Sequence, residues 1–283
     1  VDPTSEKFKQ FYPDYIDRIP EFFTADLIKN KYSNKAKIVT TIAMFYDLPN
    51  PLKFSQDVAD ILEDEGIWMI ELSYMPQMLK NISYDTVCQE HLEYYSIKQI
   101  KWMADRVGLK IIDISFNDTN GASMCVILAK NSSSKFQENV QKVKEVVESE
   151  INAGLDTLEP YQNFAEQVVK SKDALRVFLL DAKRNKKTVY GYGASTKGNV
   201  ILQYCGINSS LITAVAEVNE YKYGRVTPGT LIPIIPEKEA RMLKPDYFVV
   251  LPWHFKQGII EKETEFLANG GHLVFPLPKL DII

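Results

Sequence analysis

The segment Tyr190-Gly191-Tyr192-Gly193-Ala194-Ser195-Thr196-Lys197-Gly198-Asn199 has the make-up of an anion cradle. Its glycines let the backbone turn tightly, a following helix would offer unpaired N–H groups, and Ser195, Thr196 and Lys197 add two hydroxyls and an ammonium. A phosphate or diphosphate suits that set. A tight strand-to-helix turn with incidental hydroxyls would use the same glycines, but the Ser-Thr-Lys cluster tips the reading toward the anion. The pattern is neither a Walker loop nor a full G-x-G-x-x-G, so an ATPase is not supported and an NAD-type oxidoreductase ranks last. Glu217 closes the next strand, where nucleotide-binding α/β folds often carry an acid for a ribose hydroxyl. Asn219, Lys222 and Arg225 follow, with a solvated polar loop as their plain reading. Trp253-His254 falls just after a later strand, and a packing role is the plain reading of Trp253. The acid–base candidate is Glu90-His91, within Tyr84-Asp85-Thr86-Val87-Cys88-Gln89-Glu90-His91-Leu92-Glu93-Tyr94-Tyr95-Ser96. An imidazole titrates near neutrality and a carboxylate beside it can orient the ring. The chain has 3 histidines, and His272, inside a late strand, reads as structural.

The elements that must position these groups can be read from periodicity. Lys37–Phe45 predicts a buried strand, Phe54–Glu63 a helix capped at Gly66, and Ile67–Leu72 a second strand. Ser96–Val107 predicts an amphipathic helix closing on Gly108, followed by strands at Leu109–Ser115 and Ser123–Ala129 joined through Asn120-Gly121. From 132 to 185 the chain turns rich in Lys, Glu and Gln with apolar residues at helical spacing, divided by Pro160. A second series then begins: strand Thr188–Tyr192, helix Gly193–Tyr204, strands Leu211–Glu217, Tyr247–Leu251 and Leu273–Pro276, with a helix at Phe255–Asn269. Strands alternating with helices predict α/β architecture with parallel sheets in both halves.

The 283 residues favour two domains, and 45% hydrophobic with 25% charged residues is ordinary globular composition. A net charge of −4 leaves no excess of cations for a phosphate backbone, so no nucleic-acid partner is expected. Cys88, Cys125 and Cys205 lie far apart without a CxxC pair, which excludes a thiolate zinc site among them and suits a reducing cytoplasm. No apolar run is long enough to span a bilayer, so no membrane partner is expected either.

Three motifs in this order and spacing, Glu90-His91-Leu92-Glu93-Tyr94-Tyr95-Ser96, Gly191–Asn199 and Gly224-Arg225-Val226-Thr227-Pro228-Gly229, resemble the AdoMet-dependent nucleotide-sugar C-methyltransferases. The resemblance runs through essentially the whole chain. It implies an incomplete Rossmann-like methyltransferase domain over 1–130, a helical bridge over 131–186, and a second Rossmann-like α/β domain over 187–283 that binds the nucleotide sugar. Val1-Asp2-Pro3 would be the end of the family's second central strand, with the cysteine-rich zinc module and the glycine-rich AdoMet loop preceding it. S-adenosyl-L-methionine is then the expected cofactor, held in this chain by Asp2, Ala43 and Met44, with zinc confined to that preceding module. His91 would be the base that removes the proton next to a ketone, with Glu90 positioning it. Gly193, Ser195, Thr196, Lys197 and Asn199 would hold the diphosphate, and Glu217, Asn219, Lys222, Arg225 and Trp253 the rest of the nucleotide sugar. Asp47 stands where the family has a histidine. The alternative is a protein that binds the nucleotide sugar without transferring a methyl group.

Overall fold

The computed structural model describes residues 1–118 and 121–283. Their helices in chain order are α1 Ala25–Lys31, α2 Pro51–Ile61, α3 Met75–Lys80, α4 Ile97–Arg106, α5 Val140–Asn152, α6 Glu159–Arg184, α7 Thr196–Tyr204, α8 Glu237–Met242, α9 Lys256–Lys262 and α10 Thr264–Ala268. The strands are β1 Ala36–Ile42, β2 Leu62–Ser73, β3 Leu109–Asn117, β4 Ser123–Lys130, β5 Val189–Tyr192, β6 Val215–Glu217, β7 Ile234–Pro236, β8 Tyr247–Val250, β9 His272–Phe275 and β10 Asp281–Ile282. They sort into two compact units. The first comprises Val1–Ser73, Leu92–Asn117 and Ser123–Glu150; the second comprises Tyr74–His91, Asp118–Ala122 and Ile151–Ile283. The stretches 1–130, 131–186 and 187–283 read from the sequence are continuous, whereas the units exchange segments.

In the first unit a four-stranded sheet runs in the order β1-β2-β4-β3. β1 and β2 are parallel, and β4 is antiparallel to both of its neighbours, the mixed arrangement expected from the short β3–β4 connection. Asn120 of the expected Asn120-Gly121 turn lies outside the described residues. Two expectations fail here. Gly66 does not cap a helix: α2 ends at Ile61, and Gly66 sits inside β2 where a Cβ would lie 2.9 Å from the Ala36 carbonyl oxygen. β1 is not buried, because Ile38 is 64% and Ile42 54% exposed on a strand that pairs only with β2 among the described residues. α4 forms as expected, with Ser96 and Gln99 making a capping box and Gly108 turning the chain at φ 73°. Nor is there a strand at Val1–Pro3. The Thr4 N–H and hydroxyl donate to the Asp2 carboxylate at 2.7 and 2.8 Å, folding the chain into a turn.

The second unit contains a six-stranded sheet in the order β10-β9-β8-β5-β6-β7, parallel except for β10. The chain moves outward from β5 through β6 to β7, then returns to lay β8 on the other side of β5. The strand order therefore reverses between β5 and β8, and open α/β sheets bind ligands at the carboxyl ends of strands flanking such a reversal. The helix expected over Phe255–Asn269 is interrupted at Glu263, which separates α9 from α10 and is itself buried. His272 is exposed and stacks on Tyr247 with ring centroids 5.5 Å apart. No helix among the described residues is long and apolar enough to cross a membrane.

Candidate functional site

β5 and β8 deliver two loops to the point of reversal. After β5, Gly193 takes φ 80°, and its missing Cβ leaves room for Pro252, whose ring carbons would lie 2.9 Å from it. Ser195 then caps α7, its hydroxyl accepting from the Gly198 N–H at 3.0 Å. Thr196 is exposed at the first helical position, and Lys197 and Asn199 are half-buried in the same turn. Gly198 presses α7 against Leu251, the residue that follows β8: a Cβ there would stand 2.7 Å from the Cβ of Leu251. The turn therefore gathers Gly193, Ser195, Thr196, Lys197 and Asn199 at a helix N-terminus, the arrangement an anion needs.

Two buried carboxylates brace this turn. Glu217 Oε2 accepts from the Ala194 N–H at 3.0 Å and from Lys222 Nζ at 3.1 Å, while Oε1 accepts from the N–H groups of Val218 and Asn219 at 2.8 and 3.0 Å. Burial pushes its pKa up, but these donors outweigh burial and hold it below the ordinary glutamate value. All four acceptor positions are engaged, so in this structure Glu217 braces the turn. Lys222 is likewise engaged, donating to the Ala194 carbonyl at 2.9 Å, and the Asn219 side chain accepts from the Tyr221 N–H at 3.1 Å. Arg225 is exposed. Glu263 secures the approach from below: it accepts from the Tyr192 hydroxyl at 2.9 Å and from Arg241 Nε at 3.0 Å.

Across the reversal, Trp253 is buried and its indole N–H donates to Asp85 Oδ2 at 2.8 Å. Its polar atom is thus engaged within the protein, which favours the packing reading over a substrate contact. Asp85 is fully buried in the 3-10 turn Tyr84–Thr86, and its Oδ1 has no hydrogen-bond partner among the described residues. The turn is anchored by Tyr84, which is part of the second unit's core, lies against the Tyr204 ring at 5.3 Å and meets Cys205 Sγ through its hydroxyl at 3.5 Å. This is why residues 74–91, expected in the methyltransferase domain, pack with the second unit. Burial pushes the Asp85 carboxyl up, opposed by Trp253 and the Lys197 ammonium. Burial pushes Lys197 down, opposed by Asp85 and Cys88. His254 is lowered to about 4 by burial and by Lys197, and its buried Nδ1 has no partner among the described residues.

The same segment carries the acid–base pair. Glu90 is exposed, and His91 is half-buried with its backbone N–H donating to the Cys88 carbonyl at 3.2 Å. Burial raises the Cys88 thiol, and the Glu90 side chain raises it further. Cys88 thus lies within electrostatic range of both Lys197 and Glu90. Sequence places His254 at a strand's carboxyl end without giving it a role, and Asp85 stands out only as a carboxylate amid bulky residues six positions before His91.

The first unit has its own cavity of about 1090 Å³, lined among others by Asp2, Thr40, Ile42, Met44, Asp47 and Phe54. Asp2 and Met44 thus meet in one cavity. Ala43 does not line it; it follows β1 with φ 53°, its N–H donating to the Glu71 carbonyl at 2.8 Å, a backbone strain that re-aims the chain beside the cavity. An acidic residue, a largely apolar wall and this volume fit a cofactor the size of S-adenosyl-L-methionine.

Comparison with known proteins divides the chain once, near residues 114–118. Residues 118–278 match the family model "C-methyltransferase C-terminal domain", and residues 2–114 match "Methyltransferase domain". A curated relative, C-methyltransferase NovU of Streptomyces niveus, is 29% identical over 270 residues, covering 95% of this chain and 64% of its own. The chain therefore spans about two-thirds of that relative's length. Solved structures include "A Pericyclic Reaction enzyme" and "The structure of LepI complex with SAM". Each is 14% identical at a TM-score of 0.30 and covers 34% of this chain and 27% of the other. The match of one family model to more than half of the residues shows that this chain belongs to the C-methyltransferase family.

Proposed function

We propose that the chain serves AdoMet-dependent methylation of a carbon atom in a nucleotide-activated keto-sugar. The observation that supports this reading is the packing of the Glu90-His91 segment into the same unit as the anion turn. The diphosphate would lie on the N–H groups and side chains of Ser195, Thr196 and Lys197. That contact fixes where the sugar begins, and placement of the reacting carbon supplies much of the rate. A ketone acidifies the adjacent C–H bond. His91 would accept that proton on its imidazole, leaving an enolate, and Glu90 would orient the ring. Asp2 and Met44 would hold S-adenosyl-L-methionine, which when bound supplies an electrophilic methyl group. A diphosphate carries no information about the base, and Arg225, exposed beyond the brace, is available to it.

Separate calorimetric titrations of S-adenosyl-L-methionine and of a dTDP-keto-sugar test the two halves. Binding of both supports the reading, binding of the sugar nucleotide alone favours the binding-only alternative, and binding of neither overturns both.

A further inference from the structure

Lys197 does not stand in the open as a surface phosphate hook. It is half-buried at the first turn of α7, a helix against which two segments from different parts of the chain pack. On one side is the 3-10 turn Tyr84–Thr86, anchored to the far end of α7 through Tyr204 and Cys205, with Asp85 fully buried. On the other is the loop after β8, which sends the Trp253 indole N–H to Asp85 Oδ2 at 2.8 Å. That bond leaves Oδ1 without a partner among the described residues, and the Lys197 ammonium acts on this carboxylate. A buried carboxylate is costly unless a cation or donors compensate it. The same holds for a buried ammonium.

We propose that Asp85 is the positioning residue of the anion turn, a buried counter-charge that keeps Lys197 protonated and aimed at the diphosphate. The inference rests on the reading of Ser195–Lys197 as the diphosphate site. It gives a reason for a carboxylate so near an anion-binding turn, where by Coulomb's law alone it would weaken the ligand. The benefit is conditional on pH. Groups that face Lys197 are Asp85 and Cys88 on the 74–91 segment and His254 after β8. His254 titrates near 4 and the Cys88 thiol is raised above its ordinary value, so neither changes charge between about pH 6 and about pH 8.5. Ionisation of the terminal phosphate and of the Glu90-His91 pair is common to wild type and variant, so the difference between their profiles reports Lys197 and its counter-charge.

The test is calorimetric titration of thymidine diphosphate into the full chain and its variants at about pH 6 and about pH 8.5. Lys197→Ala binding as tightly as wild type defeats the site reading itself. With that established, Asp85→Asn is expected to bind at least as tightly as wild type at the lower pH, because a repelling carboxylate is gone. At the higher pH it should bind more weakly, by at most about tenfold for each unit by which the lysine pKa falls. Adding Lys197→Arg to Asp85→Asn should flatten the profile, since a guanidinium stays charged throughout. A profile parallel to wild type, or an equal loss at both pH values, overturns the proposal. If Asp85→Asn does not fold, Asp85→Glu keeps the charge and must follow the wild-type profile; a selective loss at the higher pH overturns the proposal equally.

Discussion

The four donors around Glu217 make a claim that mutation can separate from ligand binding. A residue that touched a ribose would lose affinity on truncation and leave stability nearly unchanged. Glu217→Ala instead strands the buried Ala194 N–H and leaves the Val218 and Asn219 N–H groups and Lys222, which border solvent, without their acceptor. Thermal unfolding should show a loss of about 1–3 kcal/mol, and an unchanged melting temperature with weakened nucleotide binding would favour the ribose role. His254 makes a second residue-scale case. Its folded pKa of about 4 lies below the ordinary value of 6.5, so between those pH values the unfolded chain binds more protons than the folded one. Stability is therefore present above about pH 6.5 and is lost as pH falls toward 4, by an amount of order 1–3 kcal/mol. Replacing His254 by Gln should shrink that acid-side loss in urea titrations at pH 7 and pH 4.5, and an unchanged difference would count against a buried neutral imidazole.

Elements were legible where one local rule settled the conformation. Ser96 and Gly108 bracket α4, Pro160 opens α6, and the glycines before Lys197 give the turn into α7, because caps, proline and positive φ are properties of single residues. What sequence left open depended on distant partners. Gly66 reads as a helix stop until Ala36 is placed beside it, β1 reads as buried because its apolar residues do not say which neighbour covers them, and the break at Glu263 follows from Arg241 and Tyr192. For the site, the anion turn and Glu90-His91 were visible as motifs, whereas Asp85 and His254 gain meaning only from Trp253 and Lys197. The contact of α7 with Leu251 yields a prediction at this scale. Gly198→Ala would push a methyl group to within 2.7 Å of Leu251, and relief requires α7 to move. Overpacking of this kind costs about 1–3 kcal/mol, and the anion turn moves with the helix. Gly198→Ala should thus lower both the melting temperature and the affinity for thymidine diphosphate, whereas a stable variant with unaltered affinity would show that the loop absorbs the methyl group.

At the scale of the molecule, the arrangement of sites within units makes ligand effects local. The large cavity is lined wholly by residues of the first unit, and the anion turn, Asp85, His254 and the Glu90-His91 segment belong wholly to the second. A ligand stabilises the structure that binds it by RT ln(1 + [L]/Kd), about 1.4 kcal/mol at ten times Kd. Amides that exchange by opening of that structure slow accordingly. Thymidine diphosphate should therefore protect the backbone over 193–199 and also over 84–91, more than a hundred residues earlier, because Tyr84 and Asp85 are built into the same core as α7. S-adenosyl-L-methionine should protect residues 38–44. Hydrogen exchange followed by mass spectrometry resolves these peptides directly. Protection of 193–199 by thymidine diphosphate without any change over 84–91 would separate the acid–base segment from the acceptor site, and His91 would lose its place in the proposed reaction.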